Sequence, residues 1–289
     1  MRARVWGCRG SLATPGADTV RYGGNTSCVE VTLESEHRIV LDAGTGMRPL
    51  GVEITGDRRE LHIMLTHLHL DHLQGLGFFR PLFQPDLEVH LWGPASPVQS
   101  LEDRIAIYLS PPLFPVSLAD IPATIVFHDE PHHVEIGSAT VHAAYVTHQG
   151  PTVGYRIEEH GRVLAYVPDH EPSLGGDLDH QPADWISGHE VAHDADVLFH
   201  DAQYGDVEYP SHVGWGHSAI DHVMDFARKL DVGTTVLFHH DPYHTDEELE
   251  LLLEDAKRSR DSATDTGSVC LAHEGMTVSL DRAGVTIAP

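Results

Sequence analysis

The stretch Leu61-His62-Ile63-Met64-Leu65, followed at once by Thr66-His67-Leu68-His69-Leu70-Asp71-His72, constrains this chain more than any other. The first five residues read as a buried strand, and three histidines with one aspartate crowd its C-terminal tip. Side chains alternate with period two in an extended segment, so His67 and His69 point the same way. Asp71 and His72 come after the turn, where they can face a second ion. Imidazole and carboxylate together suit zinc, iron or manganese. The chain has 24 histidines, so some clustering arises by chance. The string carries weight because it stands at the end of an apolar strand.

The same arrangement recurs downstream. Ala139–Val146 alternates like a strand and runs into His148. Val163–Val167 runs into Asp169, Val197–Phe199 into His200-Asp201, and Thr234–Phe238 into His239-His240. One strand-end histidine is ordinarily structural, but five such tips point to a shared site. Residues 2–7, Cys28–Leu33, Ile39–Leu41, Leu87–Trp92, Thr152–Ile157, Thr277–Leu280 and Val285–Ala288 also read as strands. Helical spacing covers Met47–Ile54, Pro97–Leu109, Ala219–Leu230 and 245–260. Ser218 is the expected N-cap of the third of these. Asp42, in Asp42-Ala43-Gly44-Thr45-Gly46, is expected to support a metal-binding histidine rather than bind metal itself. The small-residue loop Gly7-Cys8-Arg9-Gly10-Ser11 lets backbone approach a ligand. Arg9 and Arg21 are candidates for meeting a phosphate. Phe78–Phe83 could wall a pocket. The proline-rich region 96–130 reads as an inserted lid, with His128, His132 and His133 as solvated loop residues.

The formal charge is −26, which repels polyanions at long range and makes long nucleic acid a poor candidate substrate. No apolar run reaches 18 residues, so no membrane span is expected. The N-terminus lacks the features of a signal peptide. Cys8, Cys28 and Cys270 are too few and too scattered for a disulfide framework, which argues for a reducing, cytoplasmic setting.

The Asp42-x-Gly-x-Gly46 turn, the His67–His72 string, His148, Asp169 and the late His239 together resemble the metallo-β-lactamase fold. Asp201 with Gly216-His217-Ser218 narrows the resemblance to its phosphodiesterase branch, ribonuclease Z and phosphoribosyl cyclic phosphodiesterase. The resemblance covers nearly the whole chain. It departs in two respects: the acid here is an aspartate rather than a glutamate, and no basic, glycine-rich arm for gripping transfer RNA is present. The resemblance implies one domain over 1–289, an α/β αββα sandwich of two mixed sheets with helices outside and the site at one edge.

It further implies two divalent metal ions, zinc first, with manganese or iron as alternatives. His67, His69 and His148 would hold one ion. Asp71, His72 and His239 would hold the other, with Asp169 bridging. His240 is the alternative to His239, and His170 is expected to be a neighbour only. His217 would be the general acid, held by Asp201, and Asp71 counts with them among the catalytic residues. The implied activity is hydrolysis of a small cyclic or nucleotide-type phosphodiester by a metal-bridging hydroxide. A thioester or lactone hydrolase on the same fold, or a non-catalytic nucleotide-binding protein, are the other readings. The family also allows a homodimer.

Overall fold

Val197–Asp201 and Thr234–Phe238, which have parallel neighbours on both sides, are buried throughout, whereas Ala139–Ala144, between antiparallel neighbours, alternates in burial. The computed structural model describes residues 1–54, 60–129, 132–260 and 267–289. The first six strands are β1 (Arg2–Gly7), β2 (Cys28–Thr32), β3 (Arg38–Leu41), β4 (Glu60–Met64), β5 (Glu88–Gly93) and β6 (Thr124–Asp129). The next seven are β7 (Val134–Ile136), β8 (Ala139–Tyr145), β9 (Val153–Glu159), β10 (Arg162–Val167), β11 (Val197–Asp201), β12 (Thr234–Phe238) and β13 (Ser268–Leu271). Strands β14 (Thr277–Asp281) and β15 (Gly284–Ala288) close the described chain.

One sheet has the order β15-β14-β1-β2-β3-β4-β5-β6, and the other β13-β12-β11-β10-β9-β8-β7. Both are mixed. Strands β3 to β6 are parallel to one another, as are β10 to β13. The C-terminal ends of β3, β4, β10, β11 and β12 therefore gather at one edge. Every residue of β12 is buried, whereas β8 alternates between buried and half-buried positions as far as Ala144 and ends on the exposed Tyr145. Two bonds tie the sheets together near that edge. The Tyr155 hydroxyl donates to the Leu65 carbonyl at 2.8 Å, and the Val153 N–H donates to the Thr66 carbonyl at 2.9 Å.

Between the sheets, Val5, Val29, Leu41 and Met64 meet Val141, Tyr155, Tyr166, Phe199 and Phe238. Helices α1 (Met47–Glu53) and α2 (Leu101–Tyr108) cover the outer face of the first sheet, packing Met47, Leu50, Leu101 and Ile105 on Val40, Ile63 and Val89. The second sheet is covered by the short α3 (His189–Ala192), α4 (Ile220–Lys229) and α5 (Asp246–Arg260), with Val223, Phe226 and Leu249 over Ala165, Leu198 and Leu237. The layers are thus helix, sheet, sheet, helix, as the resemblance implied. None of the described helices is long and apolar enough to cross a membrane.

Some local expectations change. Helix α2 starts four residues after Pro97, where the Ser100 side chain accepts the Asp103 N–H at 3.1 Å. Ser218 does not cap α4: its hydroxyl donates to the His170 carbonyl at 2.6 Å, and Ala219 takes the cap position without a side-chain bond. Of the stretch expected as a lid, residue 130 lies outside the described residues. The remainder forms α2, an irregular turn and the edge strand β6, with Phe114, Ile121 and Ala123 packed in the outer core of the first sheet. His128 is not a solvated loop residue. It lies on β6, stacks on Trp92 with ring centroids 3.9 Å apart, and has Nε2 2.9 Å from His90 Nδ1. His132 and His133 are exposed.

Candidate metal centre

The Thr66–His72 string follows the end of β4 at Met64, and the turn 70–72 folds Asp71 and His72 back into buried positions. Asp42 follows β3 and makes this turn possible. Its Oδ1 accepts the Thr66 N–H at 2.8 Å, and its Oδ2 lies 2.8 Å from His72 Nδ1 and accepts the Tyr166 hydroxyl at 3.0 Å. Its backbone is left-handed, with φ of 58°. Such a conformation costs about 1–3 kcal/mol in a non-glycine residue and persists where its surroundings fix it. The supporting role expected for Asp42 matches this geometry: it holds the Nδ1 side of His72 and turns Nε2 inward.

The other ligand candidates are oriented in the same way. The His148 Nδ1–H donates to the Gly216 carbonyl at 2.7 Å. The His239 Nδ1 lies 3.0 Å from Gln203 Oε1, and the His67 Nδ1 is 3.1 Å from the Thr66 hydroxyl. In each ring Nε2 is thereby left for the site. His69 differs, since its Nδ1 faces His148 Nε2 at 3.3 Å.

Asp169 stands between two sets of rings. Its Oδ2 is 3.7 Å from Nε2 of both His67 and His148. Its Oδ1 is 3.1 Å from His72 Nε2 and 3.4 Å from His239 Nε2. Asp71 Oδ2 lies 3.3 Å from His72 Nε2 and 3.2 Å from His239 Nε2, and accepts the Ser11 N–H at 2.8 Å. Donor atoms of His67, His69 and His148 fall within 4.8 Å of one another, and so do those of His67, His72 and Asp169 and of Asp71, His72 and His239. His67 Nε2, His72 Nε2 and Asp169 Oδ1 are buried and have no hydrogen-bond partner. Native structures rarely leave such atoms orphaned, and an ion that accepts nitrogen and oxygen ligands resolves all three. The residues fit divalent metal.

Protonation follows burial and charge. Burial pushes His67, His69 and His148 below the ordinary histidine value, which favours the neutral ring a metal needs. Burial would lower His72 as well, but Asp169, Asp71 and Asp42 hold it well above. Burial would raise Asp169, yet His239, His72 and His67 hold it well below the carboxylate range. A cation entering here competes with the His72 proton.

His217 lies beside this centre. Its Nδ1 is 2.6 Å from Asp201 Oδ2, and its ring stacks on His239 with centroids 5.0 Å apart. Burial disfavours its charge, but the adjacent Asp201 raises its pKa to about 9. Asp201 Oδ1 accepts the Gln203 N–H at 3.0 Å and the Ser218 N–H at 3.2 Å, and Oδ2 accepts the His170 N–H at 3.0 Å.

Two expectations shift here. Arg9 meets no phosphate: it is fully buried and donates to the carbonyls of Gly23, Asp241 and His244. Arg21 pairs with Glu250. Both neighbouring histidines point away from the centre. His240 Nε2 lies 2.9 Å from the Ala272 carbonyl, and His170 Nδ1 lies 2.9 Å from His200 Nε2. Gln203 and Ser11, which orient His239 and Asp71, were not singled out as site residues. The small-residue loop at 7–11 was the available signal for Ser11. A side chain on Gly10 would come within 2.5 Å of the His239 ring.

Two mixed sheets with a histidine- and aspartate-rich metal centre at the edge between them define a metallo-hydrolase sandwich. Residues 37–240 match the beta-lactamase superfamily domain, and the chain belongs to that family. It is similar to the ribonuclease Z of Myxococcus xanthus, 26% identical over 301 residues, covering 89% of this chain and 92% of that one. It is also similar to the ribonuclease Z of Deinococcus radiodurans, 29% identical over 151 residues, where the match spans only 44% of either chain. A crystal structure of a diphosphatase of the PhnP family superposes with a TM-score of 0.67 at 20% identity, covering 97% of this chain and 98% of that one. The protein is a metal-dependent hydrolase of the metallo-β-lactamase fold, related to ribonuclease Z.

Proposed function

We propose that the chain is a dinuclear phosphodiesterase acting on a small phosphodiester. The observation that carries this reading is Asp169, whose two oxygens face two separate sets of rings. His67, His69 and His148 would hold one ion, Asp71, His72 and His239 the other, and Asp169 would serve both. The chemistry suits zinc first, with manganese or iron as alternatives. Bound there, divalent metal supplies Lewis acidity, lowering the pKa of water toward neutrality and offsetting phosphoryl charge.

The residues of the chain do the rest. Asp42, Gln203 and the Gly216 carbonyl hold three imidazoles at fixed angles, so little reorganisation remains for the reaction itself. Asp201 fixes the tautomer of His217 and keeps it protonated. His217 is the proton donor to the departing alkoxide, a contribution of about 10²–10⁴-fold. This Asp201–His217 pair supports a phosphodiester over a thioester, because a thiolate leaves without a proton. The net charge of −26 supports a small substrate over long nucleic acid, even though the relatives are named ribonuclease Z.

The test is a side-by-side assay of the metal-replete protein on an alkyl phosphodiester, bis(p-nitrophenyl) phosphate, simple lactones and thioesters. The reading expects both phosphodiesters to be cleaved. Turnover of lactone or thioester alone would replace it with the other hydrolase reading. Binding of nucleotide without turnover of any substrate would leave a sensor.

A further inference from the structure

Glu171 is two residues beyond Asp169, and its side chain is fully buried. A carboxylate out of water needs donors, and here they converge from one loop. Oε1 and Oε2 accept the Gly214 N–H at 2.8 and 3.1 Å. Oε2 also accepts the Gly216 N–H at 2.7 Å, and Oε1 the Tyr209 hydroxyl at 2.7 Å. Gly214 and Gly216 have φ of 85° and 89°, a left-handed backbone that glycine adopts without strain. A side chain on Gly216 would also come within 2.4 Å of His148 Nδ1.

The loop held in this way carries two groups of the centre. The Gly216 carbonyl receives the His148 Nδ1–H, and the next residue is His217. Glu171 reaches His148 from the other side too, because its own N–H donates to the Thr147 carbonyl at 2.9 Å. We propose that Glu171 is a positioning residue whose carboxylate, by gripping the Gly214–Gly216 backbone, sets the ring of His148 for metal and the ring of His217 for proton donation.

This inference rests on the phosphodiesterase reading for its kinetic part only. In Glu171→Gln the amide keeps the shape of the side chain but turns an NH₂ group toward glycine N–H donors. Three results are expected. In the metal-free protein, the ¹⁵N-edited spectrum shows the His148 Nδ1–H resonance moved or lost to exchange, while that of His72, held by Asp42, stays in place. Zinc affinity, read by chelator competition, falls about 10- to 100-fold at one site, the usual cost of losing such a partner. At saturating zinc, turnover of an alkyl phosphodiester falls further than that of bis(p-nitrophenyl) phosphate, whose leaving group needs no proton.

An unchanged His148 resonance together with wild-type zinc affinity overturns the proposal. So does an equal loss on both phosphodiesters that simply tracks a lower unfolding midpoint, since that marks a plain loop anchor. If Glu171→Gln does not fold, Tyr209→Phe removes one donor and leaves the glycine contacts. It should move the His148 resonance in the same direction by a smaller amount, and no movement counts against the proposal. Should the wild-type protein cleave neither phosphodiester, the functional reading fails, while the spectrum and the zinc titration still decide the role of Glu171.

Discussion

His217 Nδ1 lies 2.6 Å from Oδ2 of Asp201, a carboxylate that is fully buried and takes three backbone N–H bonds besides. The pair is thus fixed before any substrate arrives. His217→Ala should keep both metal equivalents by elemental analysis and lose about 10²–10⁴-fold on an alkyl phosphodiester. Equal turnover in that variant removes His217 from the mechanism.

The same pair predicts a pH profile. Asp201 raises His217 to about 9, so the proton it must donate is present below that value and lost as pH rises through it. On the proposed dinuclear reading, cations bound in the adjacent site would oppose this shift and bring the limb toward neutrality. Turnover of an alkyl phosphodiester should therefore fall on the alkaline side. Bis(p-nitrophenyl) phosphate should lack that limb, as should the residual activity of His217→Ala. An identical limb for both substrates in the wild-type enzyme would assign it to another group.

Asp169→Ala tests the bridge. Removing it takes one oxygen from the His67 and His148 side and one from the His72 and His239 side. Metal content should drop at both positions, so the variant should bind fewer than two equivalents and lose turnover on every substrate. Two equivalents retained at wild-type affinity would show that the histidines suffice.

How much of this was legible beforehand depended on the distance over which each contact acts. Strand tips were readable because apolar runs end abruptly in histidine or aspartate, and parallel strands bring those ends to one edge. Asp42 was readable from its glycine-flanked turn beside the string. Glu171 was not, because its donors, the Tyr209 hydroxyl 38 residues away and backbone N–H groups 43 and 45 residues away, are all distant, and backbone donors leave no trace in residue type. Arg9 looked available for a phosphate since nothing local reveals that the carbonyls of Asp241 and His244, 232 and 235 residues away, enclose it. Ser218 looked like a cap, but the His170 carbonyl, reached from a neighbouring strand tip, takes its hydroxyl. His128 and the proline-rich region misled for a related reason: a parallel edge strand is recognised by its partner, and β5 lies some thirty residues earlier.

The buried histidines predict how the metal-free protein responds to acid. Burial lowers His170, His200 and His240, the last to about 3, so all three are neutral when folded. Unfolded, each takes up a proton near the ordinary histidine value of 6.5. Their contribution is present above that value and lost as pH falls toward the folded pKa. His72 and His217 are raised and act in the opposite sense, their contribution fading as pH climbs above the same value. Stability should accordingly peak near neutrality. The urea midpoint should drop between pH 6.5 and 5, before most carboxylates titrate at about 4. A midpoint that stays level across that interval would mean these rings are protonated in the folded protein or reachable by water.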